Sequence, residues 1–177
     1  MPAHDITLAT AFIAEARRRL DEPFRKMLHC LEQLLEEDLW WRPHPTHNAV
    51  GNIILHVCGN LRQWIISGVG GSPDVRNRPE EFAKREGITK RELIGRLTDT
   101  VREADAVLAG LAPERLVEHR RIQGVDGTVL AALFNTLAHF EGHAHQLAYI
   151  TRMRLGEAYR FSWQPATPEE GAPGLPV

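Results

Sequence analysis

Three histidines fall within seven residues of the stretch NTLAHFEGHAHQLAYI (135–150), and two of them, His139 and His143, are four residues apart. Successive helical residues advance by about 100°, so an i, i+4 pair shares one side of a helix. Neutral imidazole is the commonest nitrogen ligand for zinc, nickel or iron, and two imidazoles one turn apart can grip a single ion. With His139 at zero on the wheel, His143 falls at about 40° and Gln146 at about −20°. Asn135 and Thr136 flank this stripe. The apolar Val129, Leu133, Leu137, Phe140 and Leu147 cluster roughly 100° away from it. His145 points elsewhere, with Glu141 and Arg152 as neighbours, and is expected to face solvent or an interface. The pattern is not that of a zinc protease: Phe140, not glutamate, follows the first histidine, and Glu141 lies off the stripe.

A second segment, HNAVGNIILHVCGNLRQWI (47–65), repeats the design. Val50, Ile53, Ile54, Val57, Leu61 and Trp64 form an apolar face. His56 stands at its edge, stacked with Asn52, Asn60 and Gln63 at helical spacing. Where two such stripes meet, His56, His139 and His143 make a three-histidine set that leaves positions for water or substrate. The amides, Asn60 and Gln146 foremost, are candidates to orient the imidazoles or a bound ligand. A spaced histidine pair alone is a weak signal, and a metal-free polar contact at the core edge is the competing reading. Arg62 lies off the stripe. Cys58, two residues from His56, is expected to face away from it.

These residues sit on four expected helices. The first occupies the region 6–38, with Pro23 either starting a new helix after Asp21 or kinking a continuous one. The second runs from about Asn48 to Ser67, with Thr46 or Asn48 as its cap. The long, charged stretch GGSPDVRNRPEEFAKREG follows, holding at most one short turn of helix. A third helix, Thr89 to Leu111, opens on a Thr89/Glu92 capping box. LVEHRRIQGVDGT has some strand character, with Gly124 and Gly127 marking turns. The fourth helix runs from about Thr128 to Leu155. The spacing therefore predicts an all-α four-helix bundle with a long connection between helices two and three, spanning 1–160. Residues 161–177, rich in proline, form a tail.

Composition narrows the function. The 177 residues carry a formal net charge of −2, which argues against a dedicated nucleic-acid binder. The run RRR at 17–19 reads as a solvated helix face. No stretch of 18 apolar residues exists for a membrane span, and charged residues interrupt the N-terminus where a signal peptide needs an apolar run. A cytoplasmic location is the expectation. Cys30 and Cys58 read as small buried hydrophobes. His44 and His47 read as loop residues, and His29 and His119 as solvated ones.

The two histidine segments, in this order and with His56, His139, His143 and Gln146 in place, resemble the DinB-like superfamily over about residues 10–155. His145 stands where a glycine is common. The resemblance implies an up-down-down-up bundle, often a homodimer, with a divalent metal (zinc or nickel, with iron as a further option) on His56, His139 and His143 at the floor of an open pocket. It also implies a low-molecular-weight thiol as a partner of the metal, as in bacillithiol- and mycothiol-dependent relatives. A metal-dependent S-transferase or related small-molecule transferase is the first functional expectation. The alternatives are a non-catalytic metal- or ligand-binding dimer of the stress response and a metal-dependent hydrolase. The HxxxHxE motif of iron-dependent sulfoxide synthases is not matched, because His145 occupies the glutamate position.

Overall fold

A computed structural model describes residues 3–163, with side chains from residue 8 onward. The first helix, α1 (Ala3–Gln33), passes through Pro23 without a break. It stops short of the expected residue 38. A 3-10 turn follows at Glu36–Asp38, closed by the Leu35 N–H donating to the Asp38 carboxylate at 2.8 Å. Asp38 is itself buried under an ion pair with Arg154 from the other end of the chain.

Helix α2 (Val50–Leu61) starts after Ala49, and neither Thr46 nor Asn48 caps it. The Asn52 side chain instead reaches back to accept from the Ala49 N–H at 3.1 Å. The helix then widens into a π-helical turn over Arg62–Ser67, a local insertion that often marks functional regions. The long connection carries a short helix, α3 (Arg78–Ala83), whose first turn contains Pro79, a residue with no N–H to satisfy there. Helix α4 (Lys90–Ala109) has the capping box expected: the Thr89 hydroxyl accepts from the Glu92 N–H, and the Glu92 carboxylate accepts from the Thr89 N–H at 2.8 Å. A 3-10 turn (Pro113–Val117) leads to an antiparallel hairpin of β1 (His119–Ile122) and β2 (Val125–Thr128). Gln123 and Gly124 make its turn, both at positive φ, the backbone that tight hairpins require. Gly127 is not a turn residue as expected; it lies within β2 opposite Arg120. Helix α5 (Val129–Leu155) is capped by the Thr128 hydroxyl, which accepts from the Ala131 N–H.

The four long helices close into a mostly helical bundle in which α1 packs on α4 and α5, and α2 packs on the same two. Leu20, Met27 and Leu31 from α1 meet Ile53, Ile54 and Leu61 from α2, Leu93 and Leu97 from α4, and Leu133, Phe140 and Leu147 from α5. Burying these stripes removes apolar surface from water, the main favourable term in the fold. Two consequences matter for the site. The polar edges of α2 and α5 lie side by side, and α3 packs against α2 rather than hanging in solvent. Among the described residues no helix is long and apolar enough to cross a membrane.

Arg17, Arg18 and Arg19 are engaged in surface ion pairs with Asp105, Glu15 and Glu22. His29 departs from the solvated expectation: it is half-buried, and its Nε2 donates to the Arg160 carbonyl at 2.6 Å, tying α1 to the segment that follows α5. Most of the proline-rich tail, residues 164–177, lies outside the described residues.

Candidate metal centre

The neighbouring edges of α2 and α5 bring His56, His139 and His143 together. Their ring centroids are 4.4–5.2 Å apart, and His56 Nε2 lies 3.0 Å from His139 Nε2. One nitrogen from each ring lies within 4.8 Å of the others, close enough for the three to hold one metal ion. His56 is buried, His143 half-buried and His139 exposed, so the cluster opens to solvent on the α5 side.

Two of the rings have their second nitrogen fixed. His143 Nδ1 donates to Gln146 Oε1 at 2.8 Å. His56 Nδ1 donates to Glu81 Oε2 at 2.9 Å. Each contact puts the proton on Nδ1 and leaves the Nε2 lone pair facing the cluster, the tautomer that metal coordination needs.

Glu81 belongs to α3 and has a support of its own. Arg76 grips its carboxylate in a two-pronged contact, Nε to Oε1 at 2.7 Å and Nη2 to Oε2 at 2.9 Å. Arg76 Nη1 donates to Gln63 Oε1, and Gln63 Nε2 donates to Asp74 Oδ2. The Asn52 amide donates to the carbonyls of Glu81 and Lys84, at 2.9 and 2.8 Å, and so pins α3 to α2. The Arg76 and Glu81 side chains are only 4% and 8% exposed. A buried ion pair is tolerated when its remaining hydrogen-bonding groups are also satisfied, and here Gln63 and His56 do that. Gly59 makes the approach possible: a Cβ there would collide with the Glu81 carboxylate.

The local electrostatics favour neutral imidazoles. Partial burial, then the charges His143 and His56 would carry, then Arg76 and Arg78, push the His139 pKa down to about 4. Burial also lowers that of His56, against the opposing pull of its bond to Glu81. Both rings therefore offer lone pairs at neutral pH, as ligands must.

The α3 side of the cluster is a wall. The Phe82 ring lies 4.9 Å from the His56 ring, and the Arg78 guanidinium lies 4.9 Å from the Phe82 centroid. Asn60, expected to contact a ligand, is half-buried one turn beyond His56, and its Oδ1 has no partner. The buried Thr136 hydroxyl, one turn before His139, likewise has none. Gln63 serves Arg76 rather than the cluster. Arg62 faces α4 and pairs with Glu103 at 2.9 Å. Cys58 points to α4, where burial pushes its thiol up to about 11. It lines a cavity of about 690 Å³ on the far side of Glu81, which none of the three histidines reaches. His145 is exposed against Glu141 and Lys26, and His44 and His47 sit in the exposed loop before α2.

Sequence reasoning missed Glu81, Arg76, Phe82 and Arg78, all of which lie in the charged connection. One signal was present. An isolated glycine inside an amphipathic helix is unfavourable by about 1 kcal/mol against alanine, so Gly59, three residues after His56, implied that something approaches α2 closely there.

A family model described as "Protein of unknown function (DUF1572)" matches residues 7–165. No curated protein matches significantly. Among solved structures, a conserved protein from Enterococcus faecalis is similar at a TM-score of 0.70 and 18% identity, over 81% of this chain and 97% of its own. A DinB-like protein from Bacillus subtilis is similar at 0.64 and 16%, over 85% and 99%. Another from Bacillus cereus is similar at 0.61 and 15%, over 75% and 85%. At these identities the likeness shows a shared fold.

Proposed function

The chain belongs to the DUF1572 family and shares its fold with DinB-like proteins, and from that premise we propose that it is a metal-dependent transferase of the DinB-like type. In this reading His56, His139 and His143 hold a divalent ion, zinc or nickel foremost and iron as a further option, and a low-molecular-weight thiol is the nucleophile. The observation that carries the reading is the pair of outer contacts, Glu81 on His56 and Gln146 on His143. Both fix the tautomer that turns Nε2 inward. A polar contact without a metal would have no use for two outer acceptors that turn the Nε2 atoms of His56 and His143 toward one point.

A bound divalent ion supplies Lewis acidity, lowering the pKa of a thiol or water so that a nucleophile exists at neutral pH. The chain's own residues do the rest. Glu81 and Gln146 hold the imidazoles in register, Arg76 holds Glu81 in place, and Phe82 shields one side of His56 from water. The open side at His139 admits the second reactant. Thiol transfer suits this inventory better than hydrolysis, because Glu81, the carboxylate in contact with the cluster, is already held by Arg76 and His56. The active unit in this reading is a cytoplasmic homodimer. A non-catalytic metal-binding dimer is the second reading, and the absence of an evident proton-transfer residue among the described groups favours it.

The test is metal content by mass spectrometry on untagged protein. Near-stoichiometric metal is expected in the wild type and in His145→Ala, with loss in His56→Ala, His139→Ala and His143→Ala. Wild-type protein that takes up no metal even on reconstitution would sink the proposal. Metal-loaded protein that transfers no thiol to an electrophile such as monochlorobimane would leave the non-catalytic reading.

A further inference from the structure

Two arginines of the connection approach the histidine cluster, and they differ in one respect. Every side of Arg76 is satisfied, by Glu81 and Gln63. Arg78, two residues on, is exposed and packs its guanidinium over the Phe82 ring. Among the described residues no carboxylate pairs with it and no carbonyl accepts from it. A guanidinium stacked on an aromatic face keeps its edge N–H groups free for a second partner. Phe82 in turn packs against His56, so Arg78, Phe82 and the cluster form one continuous surface. The charge of Arg78 is felt at His139 as well.

The net charge of this surface has one sign. Burial disfavours charge on His56 and His139, and Arg76 and Glu81 pair with each other. Glu80, the other acid of α3, lines the cavity on the far side of Glu81. Arg78 is left uncompensated, and a divalent ion on the cluster would add to it. Such a site concentrates anions and orients them through charge-assisted hydrogen bonds, planar carboxylates above all.

We infer that Arg78 is a recognition residue for an anionic group, a carboxylate in the first instance, on the small molecule that occupies the open side of the histidine cluster. The inference rests on the metal-site reading above and narrows its substrates to acids. Neutral molecules of the same shape bind less well.

The experiment compares two azoles that offer a metal the same nitrogen, imidazole-4-acetate and 4-methylimidazole. Each is titrated calorimetrically into the zinc-loaded full chain, as wild type, Arg78→Ala and Arg78→Lys. Loss of one charge-assisted contact is worth roughly tenfold or more in affinity. The wild type is expected to prefer the acetate by about that factor, Arg78→Ala to lose the preference, and Arg78→Lys to retain part of it. Zinc content and Tm are expected to be unchanged in both variants. The inference is overturned if the wild type shows no preference, if the preference survives in Arg78→Ala, or if Arg78→Ala weakens both azoles equally. Failure to load zinc at all would instead overturn the metal-site reading, and this inference with it, and the metal content of the same preparations distinguishes the two failures.

Discussion

At the scale of single residues, the site depends on groups that touch no substrate. Glu81 fixes the His56 tautomer, and outer carboxylates of this kind typically account for about 10–100-fold in metal affinity. Glu81→Gln keeps an acceptor for the His56 Nδ1–H but removes the charge that opposes Arg76, so metal affinity by chelator competition is expected to fall by about that range. Gln146→Ala, at the half-buried His143, should cost less. An unchanged dissociation constant in Glu81→Gln would reduce the Glu81 contact to a tie between helices. Acidity acts through the same nitrogens. The metal binds neutral imidazole, so protons compete with it. With the His139 pKa near 4, occupancy is expected to persist on acidification past the usual histidine range and to fail as pH approaches that value.

At the scale of elements, Gly59 and α3 form one device. Alanine in place of a mid-helix glycine ordinarily stabilises by about 1 kcal/mol. Here the added methyl collides with the Glu81 carboxylate. Gly59→Ala is therefore expected to yield no gain in Tm and to weaken metal binding by displacing Glu81 from His56. A raised Tm with full metal affinity would mean that Glu81 can retreat freely. The four helices, the Thr89 capping box and the His139–His143 pair were legible because each depends on neighbours three or four residues away. His56 was legible because its helix repeats the polar-edge pattern of α5. The ion pair behind it was not, since Glu81 contacts a residue 25 positions away from a segment whose charges read as solvated. The π-helical turn that carries Gln63 to Arg76 has no sequence period to announce it. Asn60 lies one turn beyond His56 on the same helix, as its spacing required, and its buried Oδ1 has no partner among the described residues.

At the scale of the whole molecule, the histidine cluster and its wall come from three elements, α2, α3 and α5, so its occupancy bears on global stability. Unfolded, His139 returns to its ordinary pKa of 6.5, against about 4 in the fold. His56 is shifted the same way. Between the two values the unfolded chain binds more protons than the native one, so stability rises with pH across that window. The contribution is complete above the unfolded value and is lost as pH falls toward the folded one. Metal-free protein is therefore expected to lose Tm between pH 7 and pH 5, and His139→Asn, which removes the shifted group, to show a shallower slope. Saturating metal adds RT ln(1 + [M]/Kd), about 4 kcal/mol at a thousandfold excess over Kd. Because protons and metal compete for the same lone pairs, the rise in Tm on metal addition is expected to hold from pH 7 to 5 and to shrink as pH nears 4, where His139 takes up its proton. Thermal unfolding with and without zinc from pH 7 to pH 4 decides it. A rise in Tm that survives undiminished at pH 4 would place the ion on groups other than these imidazoles.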